Sequence, residues 1–107
     1  MIFDHRVYTV RPNRVRDFLA LYEQQGLPLQ RQYLGEPLGF FYTYIGNLGQ
    51  IIHLWQFDSL EDRDERRNAM EADPRWQEYR EKVIETDYLL NMENRILKAA
   101  PFFQPRS

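Results

Sequence analysis

The chain contains no cysteine, which excludes disulfides, thiolate nucleophiles and cysteine-ligated zinc. Histidine is nearly as scarce. The two present, His5 and His53, show neither the H-x-x-x-H nor the H-E-x-x-H spacing of a zinc helix, so no metal centre is expected. One axial histidine suffices for haem, but nothing around His53 in the sequence demands that group, and no cofactor is expected. The few glycines form no phosphate-binding loop, and no serine elbow of a hydrolase appears. Positive charge is not in excess: 14 basic residues face 16 acidic ones, for a net charge of −2. Such a balance disfavours nucleic acid as a partner. No apolar run reaches the roughly 20 residues of a membrane span, so no membrane partner is expected. The opening segment MIFDHRVYTV lacks the layout of a signal or transit peptide, and a cytoplasmic location is expected.

What is present is a chain of 107 residues, read as one domain over 1–107. Aromatic residues are abundant at 15%, and their rings need a core, an interface or a pocket. Residues 2–10 alternate as a strand, with Phe3, His5, Val7 and Thr9 on one face and Ile2, Asp4, Arg6, Tyr8 and Val10 on the other. Val15, Phe18, Leu19 and Tyr22 follow at helical spacing. Gly26 and Pro28 are expected to interrupt that helix, leaving residues 27–37 as a loop or short irregular helix. Residues 38–45 are strongly β-prone, Gly46 to Gly49 read as a hairpin turn, and residues 50–57 form the next strand. Ser59 and Asp62 suggest a variant capping box for a helix to about Ala72. Asp73 and Pro74 fit the N-cap and first turn of another helix, with Trp76, Tyr79 and Val83 as its apolar stripe. Residues 88–97 alternate as a last strand. The tail from Ala100 is expected to be a short extension anchored by Phe102 and Phe103.

The order β-α-β-β-α-β is that of a ferredoxin-like α+β fold: a four-stranded antiparallel sheet with helices on one face. The same order occurs in RNA-recognition modules, but QIIHLWQF lacks their Arg/Lys-Gly-Phe run. The strand at 50–57 is apolar on both faces, with Ile51, His53, Trp55 and Phe57 opposite Ile52 and Leu54. A sheet wetted on one side alternates more cleanly, so a second copy is expected on the far face, in a homodimer or an assembly of dimers.

Gly39, Ile45, Gly46 and Leu48, then His53-Leu54-Trp55, then Ser59-Leu60 with Arg63 and Arg67, then Asp73-Pro74-x-Trp76 follow one another in an order that resembles the NIPSNAP family. ENRILKAAPF at 93–102 resembles that family's C-terminal end. The resemblance covers nearly the whole chain. It implies a ferredoxin-like protomer pairing as a dimeric α/β barrel. Tyr44 stands where family members often carry an acid, and Gly49 where they often carry Asn. Proteins of this superfamily include cofactor-independent monooxygenases, haem-degrading enzymes, isomerases and proteins with no assigned activity, and fold alone does not choose among them.

Three constellations bear on chemistry. His53 and Trp55 share a strand face, about 7 Å apart by strand rise, and form either a pocket wall or a packed core pair with its N–H groups satisfied. Arg63 and Arg67 fall between Leu60 and Met70, which are about 80° apart around a helix. Two cations at i, i+4 repel, so something negative is expected beside them: Glu71, an acid from another element, or an anionic ligand suited to the planar guanidinium. Asp4 and Arg6 are expected to form ion pairs with Glu93 and Arg95 across neighbouring strands. The expected function is binding of a small amphipathic or anionic molecule between helices and sheet, with His53, Trp55, Arg63, Arg67 and Tyr42 as its ligand-binding residues. The alternatives are a cofactor-independent monooxygenase-like enzyme and a non-catalytic scaffold or interaction module.

Overall fold

The computed structural model of the chain describes residues 1–105. Strand β1 (Ile2–Val10) leads into helix α1 (Val15–Leu21), a π-helical turn (Tyr22–Gly26) and helix α2 (Leu27–Leu34). Strands β2 (Gly39–Tyr42) and β3 (Gln50–Phe57) form a hairpin, helices α3 (Leu60–Glu71) and α4 (Pro74–Thr86) follow, and β4 (Leu89–Leu97) closes the sheet. The strand order is β2-β3-β1-β4, with every neighbouring pair antiparallel. This is the ferredoxin-like α+β arrangement read from the sequence.

The caps read from the sequence hold the second half in place. The Ser59 hydroxyl accepts the Asp62 N–H at 3.0 Å, and the Asp62 carboxylate accepts the Asp58 N–H at 3.1 Å. Asp73 accepts the Arg75 N–H at 2.8 Å, with Pro74 in the first turn, where its missing N–H costs nothing.

The first helical region departs from expectation. Gly26 and Pro28 do not break it. The chain widens into one π turn, in which the Leu27 N–H reaches back to the Tyr22 carbonyl. Helix α2 then restarts with Pro28 in its first turn, the position that tolerates proline. Of the two alternatives read for residues 27–37, the short helix is therefore the one that forms, over Leu27–Leu34. The glycine is required for packing rather than for its backbone angles, because a Cβ at Gly26 would lie 2.7 Å from the ring of Tyr79.

Three further differences have simple causes. The second strand ends at Tyr42 rather than Ile45. The β-prone Tyr44 and Ile45 extend past the sheet with nothing to pack on and are exposed. Phe102 and Phe103 do not anchor the tail, since Phe102 is 92% exposed. The tail's last two residues, and with them the end of the 1–107 domain reading, lie outside the described residues. Finally, Asp4 and Arg6 do not pair with Glu93 and Arg95. The register sets Arg95 opposite His5 and Glu93 opposite Val7, so those charges lie on the far face of the sheet.

The core lies between the helices and one sheet face. Ile51, Trp55 and Phe57 of β3 and Ile2 and Val10 of β1 pack under Phe18, Tyr22, Leu29, Met70, Trp76 and Tyr79. Replacing Gly26 with Ala is expected to lower stability by about 1–2 kcal/mol, because overpacking against the Tyr79 ring outweighs the better helix propensity of alanine. A urea midpoint equal to that of the parent would contradict this packing.

Candidate functional site

The helix-facing side of the sheet carries an unusual amount of charge. In β1 the strand period brings Asp4, Arg6 and Tyr8 to this side, beside Trp55, His53 and Ile51 of β3 in register. Asp4 is fully buried. Its carboxylate accepts hydrogen bonds from Arg63 Nε at 3.0 Å, Arg6 Nη1 at 3.2 Å and Asn94 Nδ2 at 3.0 Å. Burial alone would raise its pKa. The Asn94 hydrogen bond and the Arg6 and Arg63 guanidiniums outweigh that effect and hold it below the usual carboxylate range.

Three guanidiniums are withdrawn from water here. The side chains of Arg6, Arg63 and Arg67 are 13%, 18% and 15% exposed, against 1% for Asp4. Arg63 also meets Asp64 at 3.0 Å, but that carboxylate is mostly in solvent. Arg67 has the weakest partner: Glu71, at 3.7 Å and half-exposed. Burial, then the neighbouring Arg6, lowers the Arg67 pKa. One buried carboxylate thus faces three sheltered cations.

Beside this cluster a cavity of about 400 Å³ opens between the helices α1 to α4 and the sheet. Arg6, Arg67 and Arg80 supply its positive charge and Glu71 its negative charge. Tyr8, Phe18, Tyr22, Trp76, Tyr79, Val83, Leu89 and Met92 supply most of its remaining surface. The Tyr22 hydroxyl donates to Gln30 Oε1 at its buried end. Burial raises the pKa of both Tyr22 and Tyr79, so both phenols stay protonated at neutral pH. Among the described residues, no group of three or more His, Asp or Glu side chains could hold a metal ion, and no helix is long and apolar enough to cross a membrane.

The five residues singled out from the sequence are not brought to one surface. Arg67 lines the cavity. Arg63 lies one turn away and is held by Asp4. His53 and Trp55 are completely buried behind the cavity wall, with the indole N–H donating to His53 Nδ1 at 2.7 Å. The imidazole is enclosed by the rings of Tyr8, Phe40 and Tyr22. Burial, then the positive charge of Arg6, pushes the His53 pKa down to about 3. It is therefore neutral at pH 7, and its Nδ1 lone pair is already engaged. Tyr42 shares this sheet face but is 59% exposed on the edge strand, away from the cavity.

Sequence reasoning left Arg6, Tyr22, Gln30, Trp76 and Tyr79 out of the site. Strand parity already put Arg6 and Tyr8 on the face of Asp4. The stripe Trp76, Tyr79, Val83 was legible, but as core. Nothing local in the sequence shows that a stripe of this kind borders a void.

Comparison with known proteins agrees with this architecture. Residues 3–104 match the family model described as NIPSNAP. A NipSnap homologue from Dictyostelium discoideum is 32% identical over 72% of this chain. The chain spans about a third or less of the length of the first curated relatives it matches. A NIPSNAP-like domain protein from Burkholderia xenovorans is 44% identical, with a TM-score of 0.88 over 97% of this chain and 89% of its own. An antibiotic biosynthesis monooxygenase shares the fold with a TM-score of 0.64, over 94% of this chain and all of its own, at 13% identity.

The buried charges make stability sensitive both to substitution and to pH. Asp4→Asn leaves Arg6 and Arg63 without their buried counter-ion and is expected to cost about 3–5 kcal/mol in chemical denaturation; a loss below about 1 kcal/mol would contradict the cluster's role. The unfolded chain binds a proton at His53 near 6.5, whereas the folded chain does so only near 3. Between these values the unfolded state binds more protons, so stability present above pH 6.5 is lost as pH falls towards 3, at up to about 1.4 kcal/mol per pH unit. Below the ordinary aspartate value of 3.8, the depressed pKa of Asp4 adds to the loss. His53→Gln is expected to flatten the slope between pH 6 and 4; an unchanged slope would contradict a neutral buried imidazole.

Proposed function

This chain belongs to the NIPSNAP family, and from that premise we propose that it binds a small amphipathic anion in the cavity between helices and sheet. The observation that carries this reading is the imbalance of three sheltered guanidiniums against one buried carboxylate, beside a cavity rich in aromatic rings. Asp4 offsets Arg6 and Arg63. Arg67 has only a long contact to a half-exposed acid, and its planar fork is suited to an acidic group. The apolar body of the ligand lies among Tyr8, Phe18, Trp76 and Tyr79. His53 serves this site as a fixed neutral dipole rather than as an acid or base, because its pKa is displaced to about 3.

We also propose that two copies pair through the far face of the sheet. That face carries Phe3, Ile52, Leu54, Phe41 and Leu97 by strand parity. The molecule is a slab 19 Å thick with a radius of gyration of 14.4 Å, whereas a compact chain of this length measures about 13 Å. A second layer on the open face supplies the missing thickness. The same face holds His5, Glu93 and Arg95 around a cleft of about 250 Å³, and a two-fold axis can set such opposite charges against each other.

The test uses a matched pair of probes, 3-phenylpropanoate and its neutral alcohol 3-phenylpropan-1-ol, in titration calorimetry. The acid is expected to bind more tightly than the alcohol, and Arg67→Met to weaken the acid at least about tenfold, or about 1.4 kcal/mol. The variant should keep or slightly raise stability, since it removes a poorly paired buried charge. Equal affinity of parent and variant for the acid would refute the assignment. Native mass spectrometry checks the pairing: an even number of chains is expected, and a monomer at micromolar concentration would contradict it.

A further inference from the structure

Two buried N–H donors on adjacent strands are left without an acceptor among the described residues. The first belongs to His53. The indole N–H of Trp55 can only donate, and it lies 2.7 Å from His53 Nδ1. That nitrogen is therefore the bare one, and in a neutral imidazole the proton must sit on Nε2. His53 Nε2 is buried, with no acceptor among the described residues. The second donor belongs to Arg6, whose Nη1 is taken by Asp4 while its Nε is buried and equally unpartnered. Arg6 and His53 are register partners across β1 and β3 and share the helix-facing side. Such orphaned donors are rare in native interiors, and each is costly to bury.

Their position relates them to the cavity. Arg6 lines it directly, as do Tyr8 and Tyr22. The Tyr8 ring stands edge-on to the imidazole at 4.7 Å, and the Tyr22 ring lies 6.3 Å from it. Arg6 thus borders the cavity, while His53 lies one aromatic layer behind its wall, screened by the half-buried Tyr8 ring.

We propose that the Tyr8 side chain turns aside on binding and that Arg6 Nε–H and His53 Nε2–H together receive one oxygen of the ligand's acidic group, which makes the ligand class an apolar carboxylate bound as its anion. This deepens the binding reading above and rests on it. Neither donor can accept a hydrogen bond: the guanidinium has no lone pair to offer, and the imidazole's single lone pair is committed to Trp55. The pair therefore favours an oxygen that brings no proton. A carboxylate oxygen meets that condition, whereas an alcohol arrives with a hydrogen that finds no acceptor on these two groups. Trp55 is the positioning residue, since its indole fixes which imidazole nitrogen carries the proton.

The experiment is two-bond ¹H–¹⁵N spectroscopy of the histidine-labelled protein, read beside calorimetry with 3-phenylpropanoate and 3-phenylpropan-1-ol. Before addition, His53 is expected as the Nε2-protonated tautomer. The acid should move its Nε2–H proton signal downfield, and the alcohol should not. In Trp55→Phe the tautomer lock is lost. Both tautomers are then expected, with affinity for the acid reduced several-fold. If the acid binds by calorimetry and the His53 signal stays in place, the inference is overturned while the binding reading stands. A shift of equal size with the alcohol overturns it too. If neither probe binds, the binding reading falls and the inference with it. The labelled parent protein alone decides the matter if the variant does not fold.

Discussion

The carboxylate of Asp4, fully buried in the first strand, ties three parts of the molecule together. Through Arg63 it fastens α3 to the sheet, and through Asn94 it fastens β4 to β1. With Arg6 it fixes the charge of the strand face on which the cavity is built. An ion left unpaired in this setting costs several kcal/mol, so the surrounding donors are a condition of folding rather than an addition to it. The same donors account for the depressed Asp4 pKa, whereas the neutral state of His53 follows first from its own burial and then from the positive charge of Arg6, its register partner.

Asp4 satisfies only part of what surrounds it. Arg67, a turn of helix beyond Arg63, reaches among the described residues only the half-exposed Glu71, and the cavity wall it joins is otherwise mostly aromatic and aliphatic. In a low-dielectric recess a guanidinium with so distant a partner keeps much of its field. A protein selected for stability alone has better uses for that helix position, because a hydrophobic side chain of similar volume packs at no desolvation cost. The π turn at Tyr22–Gly26 belongs to the same arrangement. It lets the helix absorb Pro28 and brings Gly26 against Tyr79, so that the two tyrosines meet at the cavity. Single π turns of this kind are frequent at functional sites.

Much of the fold was legible because it depends on short-range rules. Alternation in β1 and β4, the apolar run of β3 after its hairpin turn, the cap at Ser59 and the Asp73-Pro74 restart each state their own geometry. Where the reading missed, the deciding information lay elsewhere in the chain. Gly26 and Pro28 look like breakers until the π turn shifts the helical register by one residue. Tyr44 and Ile45 look like strand until the sheet edge leaves them without neighbours. The charges at 93 and 95 have the right sign to pair with those at 4 and 6 but the wrong parity. The site divides in the same way. Arg63 and Arg67 stood out because two cations on an inward helix face conflict with burial. That one finds Asp4 and the other borders a void depends on how three helices pack, which no local pattern records. His53 and Trp55 were visible as a pair on one face, but their mutual hydrogen bond and their place behind the wall were not.

Bromide, a small anion located by its anomalous scattering, reports whether the cavity holds uncompensated positive charge. A crystal of the protein soaked in sodium bromide is predicted to show an anomalous peak inside the cavity, within hydrogen-bonding reach of the Arg67 guanidinium and close to Arg6. Bromide confined to the outer surface, with Arg67 drawn into full contact with Glu71, would contradict an uncompensated charge in the cavity, because the helix face would then be neutralised by the protein itself.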